Sequence, residues 1–109
     1  MKKGDIILIP FPFTDLTGNK LRPALVLARN LKDITVAFIT SQIELLREFD
    51  ISIKPNGSNG IKKESIIKLT KIATIESSLA VGKLGEVNNS EIIEINDKLR
   101  LYLDLIIVY

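Results

Sequence analysis

The chain is 109 residues long, with 15 Lys and Arg against 13 Asp and Glu, 46% hydrophobic residues, no cysteine and no histidine. That length suits one domain, residues 1–109, with a core large enough to need no disulfide staple. Missing cysteines exclude disulfides and thiolate metal sites, and missing histidines remove the usual general base and the commonest metal ligand. The carboxylates show no tight ligand spacing, so no metal and no other cofactor is expected.

The opening, MKKGDIILIPFPF, has the basic-then-apolar look of an export signal, yet Asp5 interrupts it, Pro10 and Pro12 break it, and no small-residue cleavage site follows. The apolar tail 101–109 contains Asp104 and falls far short of the roughly 20 residues that span a bilayer. A soluble cytoplasmic protein with no membrane partner is therefore expected. A net charge of +2 announces nothing, but its distribution is uneven. Residues 1–33 carry six Lys or Arg against three acids and residues 54–83 six Lys against two, whereas 34–53 and 84–109 are acidic. Should the two basic segments meet in space, one face would attract phosphates. Lysines that merely solubilise an isoleucine-rich chain account for the same numbers.

In chain order, residues 6–10 read as an apolar strand, residues 11–21 as a loop punctuated by Pro and Gly, and Arg22-Pro23 as the entry to a second strand. A residue before proline is pushed into extended conformations, and proline fits a strand at its start or on an edge, so Arg22 should sit where loop becomes strand. In that register it shares a face with Ala24, Val26 and Ala28, small residues that leave room beside a permanently charged, five-donor guanidinium. Such an arrangement suits a phosphate, although most arginines at such junctions are simply solvated. Residues 34–39 form a β-branched run, read as a strand buried on both faces and ending in Thr40-Ser41-Gln42. Strand ends hold functional groups rigidly while loops give access; threonine is also an ordinary strand residue.

A helical turn over 42–47, an alternating strand over 50–54 and the turn 55–60 follow. Next come a strand over 65–69, an extended segment over 71–75, a turn over 76–79 and a small strand over 80–85. Asn88 with Glu91 forms a capping pair for the one long helix, whose stripe Ile92, Ile95, Leu99, Tyr102, Leu103 and Ile106 should seal one side of a sheet. Further apolar residues on it, Ile93, Leu101, Leu105 and Ile107, point to deeper burial or to a subunit interface. Short strands with no helices between them predict a mainly β fold, a small antiparallel barrel closed by a C-terminal α-helix.

With those residues in view, the chain resembles the MazF/PemK toxins of type II toxin-antitoxin modules. The resemblance lies in GDIILIP at the first strand, LRPALVLA at the second, AFITSQI at the third, ESIIKLTKIATIE in the next segment and the C-terminal amphipathic helix. It implies an SH3-like CcdB/PemK-type barrel, usually a homodimer, acting as a metal-independent endoribonuclease on single-stranded RNA and neutralised by a cognate antitoxin, through which alone it would meet DNA. In family chemistry the ribose 2′-hydroxyl attacks the adjacent phosphate, so RNA supplies the nucleophile and the protein supplies geometry and charge. The catalytic arginine of the family's RP motif falls on Arg22 and the threonine of its ITxQI motif on Thr40. Substrate-binding candidates are Thr14, Thr17, Asn19, Lys20, Ser41, Gln42 and Glu76, with Lys71 secondary; Phe11 and Phe13 either stack on bases or anchor the loop.

Two departures from the family pattern bear on activity. The loop before Arg22 is shorter than the family's GSEQ-like segment and lacks its acid, and Ala73 stands where an arginine often precedes the threonine-isoleucine pair. These leave two alternatives to the nuclease: a non-nuclease inhibitory binding protein like the gyrase poisons of the same fold, or a catalytically weakened RNA-binding module.

Overall fold

The computed structural model describes residues 1–11 and 20–106. Six strands form one antiparallel sheet: β1 (Asp5–Phe11), β2 (Lys20–Asn30), β3 (Asp33–Thr40), β4 (Ile51–Ile53), β5 (Ser65–Glu76) and β6 (Gly82–Glu86), in the order β4-β5-β3-β2-β1-β6. A single α-helix, α1 (Asn89–Tyr102), follows β6. The curled sheet with its C-terminal helix agrees with the mainly β barrel read from the sequence. Short 3₁₀ turns at Ile43–Leu45 and Ser77–Leu79 stand where helical and plain turns were expected.

Both faces of the central strands are covered, which is why β2 is buried continuously from Ala24 to Leu27. Leu25, Leu27, Ala37, Ile39, Ile53, Ile67 and Leu69 pack on one face with Ile95 of α1. Ile7, Ile9, Ala24, Val26, Ile34, Val36 and Ile75 pack on the other. The helix begins as expected: the Asn88 side chain accepts from the Glu91 N–H at 2.8 Å, and the Glu91 carboxylate accepts from the Asn88 N–H at 2.8 Å. It ends earlier than its apolar stripe does. Leu103 is its C-cap and Asp104 turns left-handed at φ 55°, so Ile106 lies off the helix and is exposed.

Proline at position 23 sits inside β2, not at its start. There β2 pairs only with β1, through Leu8, because the ladder to β3 begins at Ala24. One side of Pro23 is thus edge-like, and its missing N–H disturbs no second ladder. A bulge between Val26 and Ala28 corrects another expectation. Val26 opposes Val36 whereas Ala28 opposes Thr35, so Ala28 is turned to the opposite face from Ala24 and Val26, and it is exposed. β5 is continuous where a strand and a separate extended segment were expected; its pairing with β3 jumps from Lys68 opposite Phe38 to Ile72 opposite Ala37. That skip bends the strand and curls the sheet.

At the start of β1, Asp5 is buried, with the Lys83 ammonium 3.2 Å and the Lys2 ammonium 3.8 Å from its carboxylate. Burial pushes this carboxyl up, but the Lys2 backbone N–H and the Lys83 ammonium more than offset it and hold it below 3.8. Glu86, 3.2 Å from Lys83 and 3.3 Å from Lys2, completes the cluster.

Candidate active site

Cross-strand register brings Arg22 and Thr40 together. Ile9 of β1 pairs with Arg22, and Ala24 of β2 pairs with Phe38; continuing that register by two residues sets Arg22 across from Thr40 on one face. Both side chains, with Phe38, Ile39, Ser41 and Gln42, line a cavity of about 300 Å³. Arg22 is exposed and makes no hydrogen bond or ion pair among the described residues, so its five N–H donors are uncommitted. The Thr40 hydroxyl accepts from the Gln42 N–H at 3.1 Å. One lone pair is thereby occupied and the oxygen fixed, while its O–H stays available to donate.

A buried ion pair holds the segment that follows Gln42. The Lys68 ammonium reaches the Asp50 carboxylate at 2.6 Å and the Leu45 carbonyl at 3.0 Å, and the same carboxylate accepts from the Arg47 N–H at 2.8 Å. Lys68 lies opposite Phe38 in the ladder, so this pair ties the chain beyond the cavity to the sheet that carries Thr40.

On the other side of Arg22 and Thr40 lies a second cavity, of about 270 Å³, which shares Arg22, Ile39, Thr40 and Ser41 with the first. Leu8, Pro23, Ile61 and Leu84 supply its apolar walls, and Lys62, Lys63, Gly60 and Ser65 complete its lining. The segment bearing those lysines is docked rigidly. Fully buried Asn59 accepts from the Ile61 N–H at 2.9 Å and donates to the Lys54 carbonyl at 2.8 Å, while Asn56 accepts from the N–H groups of Ser58 at 2.8 Å and Asn59 at 2.9 Å. The Ser58 carbonyl then accepts from the Glu86 N–H at 2.9 Å, and a side chain at Gly85 would overlap that carbonyl. Backbone thus lies directly on backbone, and Lys62 and Lys63 follow beside Leu84.

The two cavities form one groove whose described lining includes three cations and no carboxylate. Arg22 comes from the first basic segment and the lysines from the second, so the two segments do meet. Sequence reasoning missed Lys62 and Lys63; the lysine excess over 54–83 was the available signal, but which lysines would reach Arg22 depends on how the 54–64 segment docks on β6.

Other sequence-derived candidates are placed differently. Lys20 is exposed on the same β2 face as Arg22 but lines neither cavity. Glu76 pairs with Asp33 at the far end of β3 from Thr40, and Lys71 lies in the skip of β5, so neither is brought to the groove. Ala73 packs against the second core. Thr14, Thr17, Asn19 and Phe13 lie outside the described residues, as does the side chain of Phe11. Among the described residues there is no group of three His, Cys, Asp or Glu able to hold a metal, and no helix is long and apolar enough to cross a membrane.

The family model for PemK-like, MazF-like toxins of type II toxin-antitoxin systems matches residues 2–103. The chain belongs to this family. Three solved structures share its fold. An endoribonuclease in complex with its cognate antitoxin, from mycobacterial species, aligns over 99% of both chains with a TM-score of 0.74 at 19% identity. The Mycobacterium tuberculosis toxin MazF-mt6 aligns over 94% of this chain and 99% of its own, with a TM-score of 0.76 at 20% identity. MazE-MazF (Form-II) from Deinococcus radiodurans gives 0.71 at 19% identity over 94% of each chain. No curated protein sequence matches. At such identities the likeness to these structures is one of fold.

Proposed function

We propose that this PemK/MazF-like toxin is an endoribonuclease that cleaves single-stranded RNA by letting the substrate attack itself. The observation that carries the reading is that Arg22 and Thr40, from the adjacent strands β2 and β3, line the same groove with donors uncommitted among the described residues. In the reaction a ribose 2′-hydroxyl gives up its proton to solvent as its oxygen forms a bond to the adjacent phosphorus, the bond from phosphorus to the 5′-oxygen of the next nucleotide breaks, and that oxygen takes up a proton from solvent. The products are a cyclic phosphate and a free 5′-hydroxyl. Negative charge grows on the non-bridging oxygens as the phosphorane forms. The Arg22 guanidinium holds those oxygens in a two-pronged grip, and the fixed Thr40 hydroxyl donates to one of them. Arginine stays protonated at any ordinary pH, so Arg22 acts by charge and position and takes no proton. Ser41 and Gln42 order the nucleotide beside this pair. No step calls for a metal.

The family is that of type II toxin-antitoxin systems, and we extend to this chain control by an antitoxin, action in the cytoplasm and homodimer assembly. Exposed Ile93 and Leu101 on α1, with Leu105 just beyond its end, favour assembly over deeper burial as the reason for the surplus apolar residues. The deciding experiment incubates the purified protein with a long single-stranded RNA in chelator and maps the ends. Fragments bearing cyclic phosphate, and resistance of a substrate with a 2′-deoxy sugar at the cleaved nucleotide, are expected. An intact RNA, or cleavage that survives the 2′-deoxy sugar, overturns the proposal.

A further inference from the structure

We infer that the second cavity is the subsite for the nucleotide next to the cleaved bond, with Lys62 and Lys63 holding that nucleotide's phosphate. This rests on the nuclease reading of Arg22 and Thr40 and extends it to residues outside that pair. Lys62 and Lys63 line the wall of a cavity that shares Arg22 and Thr40 with the first, so a chain whose reacting phosphate sits at Arg22 enters it on one side.

Chemistry divides the two cavities. To the shared Arg22, Ile39, Thr40 and Ser41 the first adds only the Gln42 amide and the Phe38 ring, which suits the reacting sugar and phosphate. The second has apolar walls from Leu8, Ile61 and Leu84, with ammonium groups in its lining, suited to a base packed below and a phosphate held above. Its volume, about 270 Å³, is near the small end of ligand sites, roughly 300 to 1,000 Å³, and fits one unit of a polymer better than a large ligand. The Ser65 hydroxyl is already donated to the Lys63 carbonyl at 2.9 Å, so the cavity grips by charge and shape more than by reading base edges.

Commitment of the charges points the same way. Several cations elsewhere are tied up: Lys68 on Asp50, Lys83 on Asp5 and Glu86, and Arg100 on Asp97. Lys62 and Lys63 have no hydrogen-bond or ion-pair partner for their ammonium groups among the described residues, although the segment carrying them is fastened through buried Asn59. Free charge on a fixed support is what a phosphate subsite needs.

The test uses an RNA made uncleavable by a 2′-deoxy sugar at the cut, and measures binding against salt. Lys62→Ala with Lys63→Ala should weaken binding and flatten the slope of log affinity against log salt by about 0.7 for each phosphate that the protein no longer neutralises. Lys32→Glu, which removes as much net charge in the β2–β3 turn away from the groove, should leave the slope unchanged. In a second series each phosphate flanking the cut is replaced in turn by an uncharged methylphosphonate. One of the two replacements should weaken binding to the wild-type protein and have no further effect on the double lysine variant. Equal losses in both proteins at both positions, with wild-type cleavage of ordinary RNA intact, overturn the lysine subsite alone. A wild-type protein that neither cuts nor binds RNA overturns the nuclease reading and this inference together.

Discussion

Arg22 and Thr40 contribute different things to the groove, and substitutions separate them. In the proposed mechanism Arg22→Ala removes the grip on the phosphorane, so cleavage should fall by at least the roughly 100 to 1,000-fold typical of removing one preorganised donor, with the thermal midpoint nearly unchanged because the side chain is exposed and unpartnered among the described residues. Arg22→Lys should recover little, since an ammonium cannot reproduce the planar fork. For Thr40 the informative pair is Thr40→Val and Thr40→Ser. Valine keeps the shape but loses the hydroxyl that accepts from Gln42 and donates outward, and should cost about 100-fold or more in kcat; serine keeps both bonds and should retain most activity. Local signs, a proline after the arginine and a β-branched run before the threonine, placed both residues at strand ends, but only the resemblance to the family's RP and ITxQI motifs singled them out as candidates. Lys62 and Lys63 carried no such sign. Nothing in their own neighbourhood says that a turn fastened by Asn59 will set them beside β2.

Among the elements, the 55–60 turn and β6 act as one unit held by backbone contact. Gly60 has φ +70°, and a side chain there would overlap the Leu84 carbonyl; one at Gly85 would overlap the Ser58 carbonyl. Gly60→Ala adds left-handed backbone strain, about 1 to 3 kcal/mol, to that overlap, while Gly85→Ala costs about 1 to 3 kcal/mol through overpacking alone, so each should lower the urea midpoint sharply. Asn59→Ala should cost about 2 kcal/mol or more, because it leaves the buried Ile61 N–H and the part-buried Lys54 carbonyl without their partner. Near-native stability for all three would mean that the turn moves independently of β6. Strand existence was readable from apolar runs, and the helix start from Asn88 and Glu91. What could not be read were the irregularities. The bulge at Val26 and Ala28, the proline inside β2 and the early end of α1 depend on which neighbour each strand has at each residue, and periodicity carries no information on that.

For the molecule as a whole, the Asp5 cluster makes stability depend on acid. The folded Asp5 carboxyl lies below its ordinary value of 3.8, so between the two values the unfolded chain binds more protons than the folded one. Its stabilisation is complete above the unfolded value and is lost as pH falls through the folded one. Moving from about pH 5 to about pH 3 should lower the urea midpoint more in the wild-type protein than in Asp5→Asn, and a parallel loss in both would remove Asp5 from the account. The barrel class was legible at this scale because no helical pattern separates one strand from the next.

The unmatched stretch of β5 between Lys68 and Ile72 also separates two halves of the molecule that can vary independently. Losing Thr70 or Lys71 would tighten the bend while Ile66 stayed opposite Thr40, Ile75 stayed opposite Ile34 and Leu69 stayed in the core. The same deletion within 65–68 would invert the strand, drawing Lys68 away from Asp50 and turning a buried isoleucine into the groove. Length changes across relatives should therefore gather in the first stretch and be absent from the second, giving the barrel a place to change girth while its reactive edge keeps its registration.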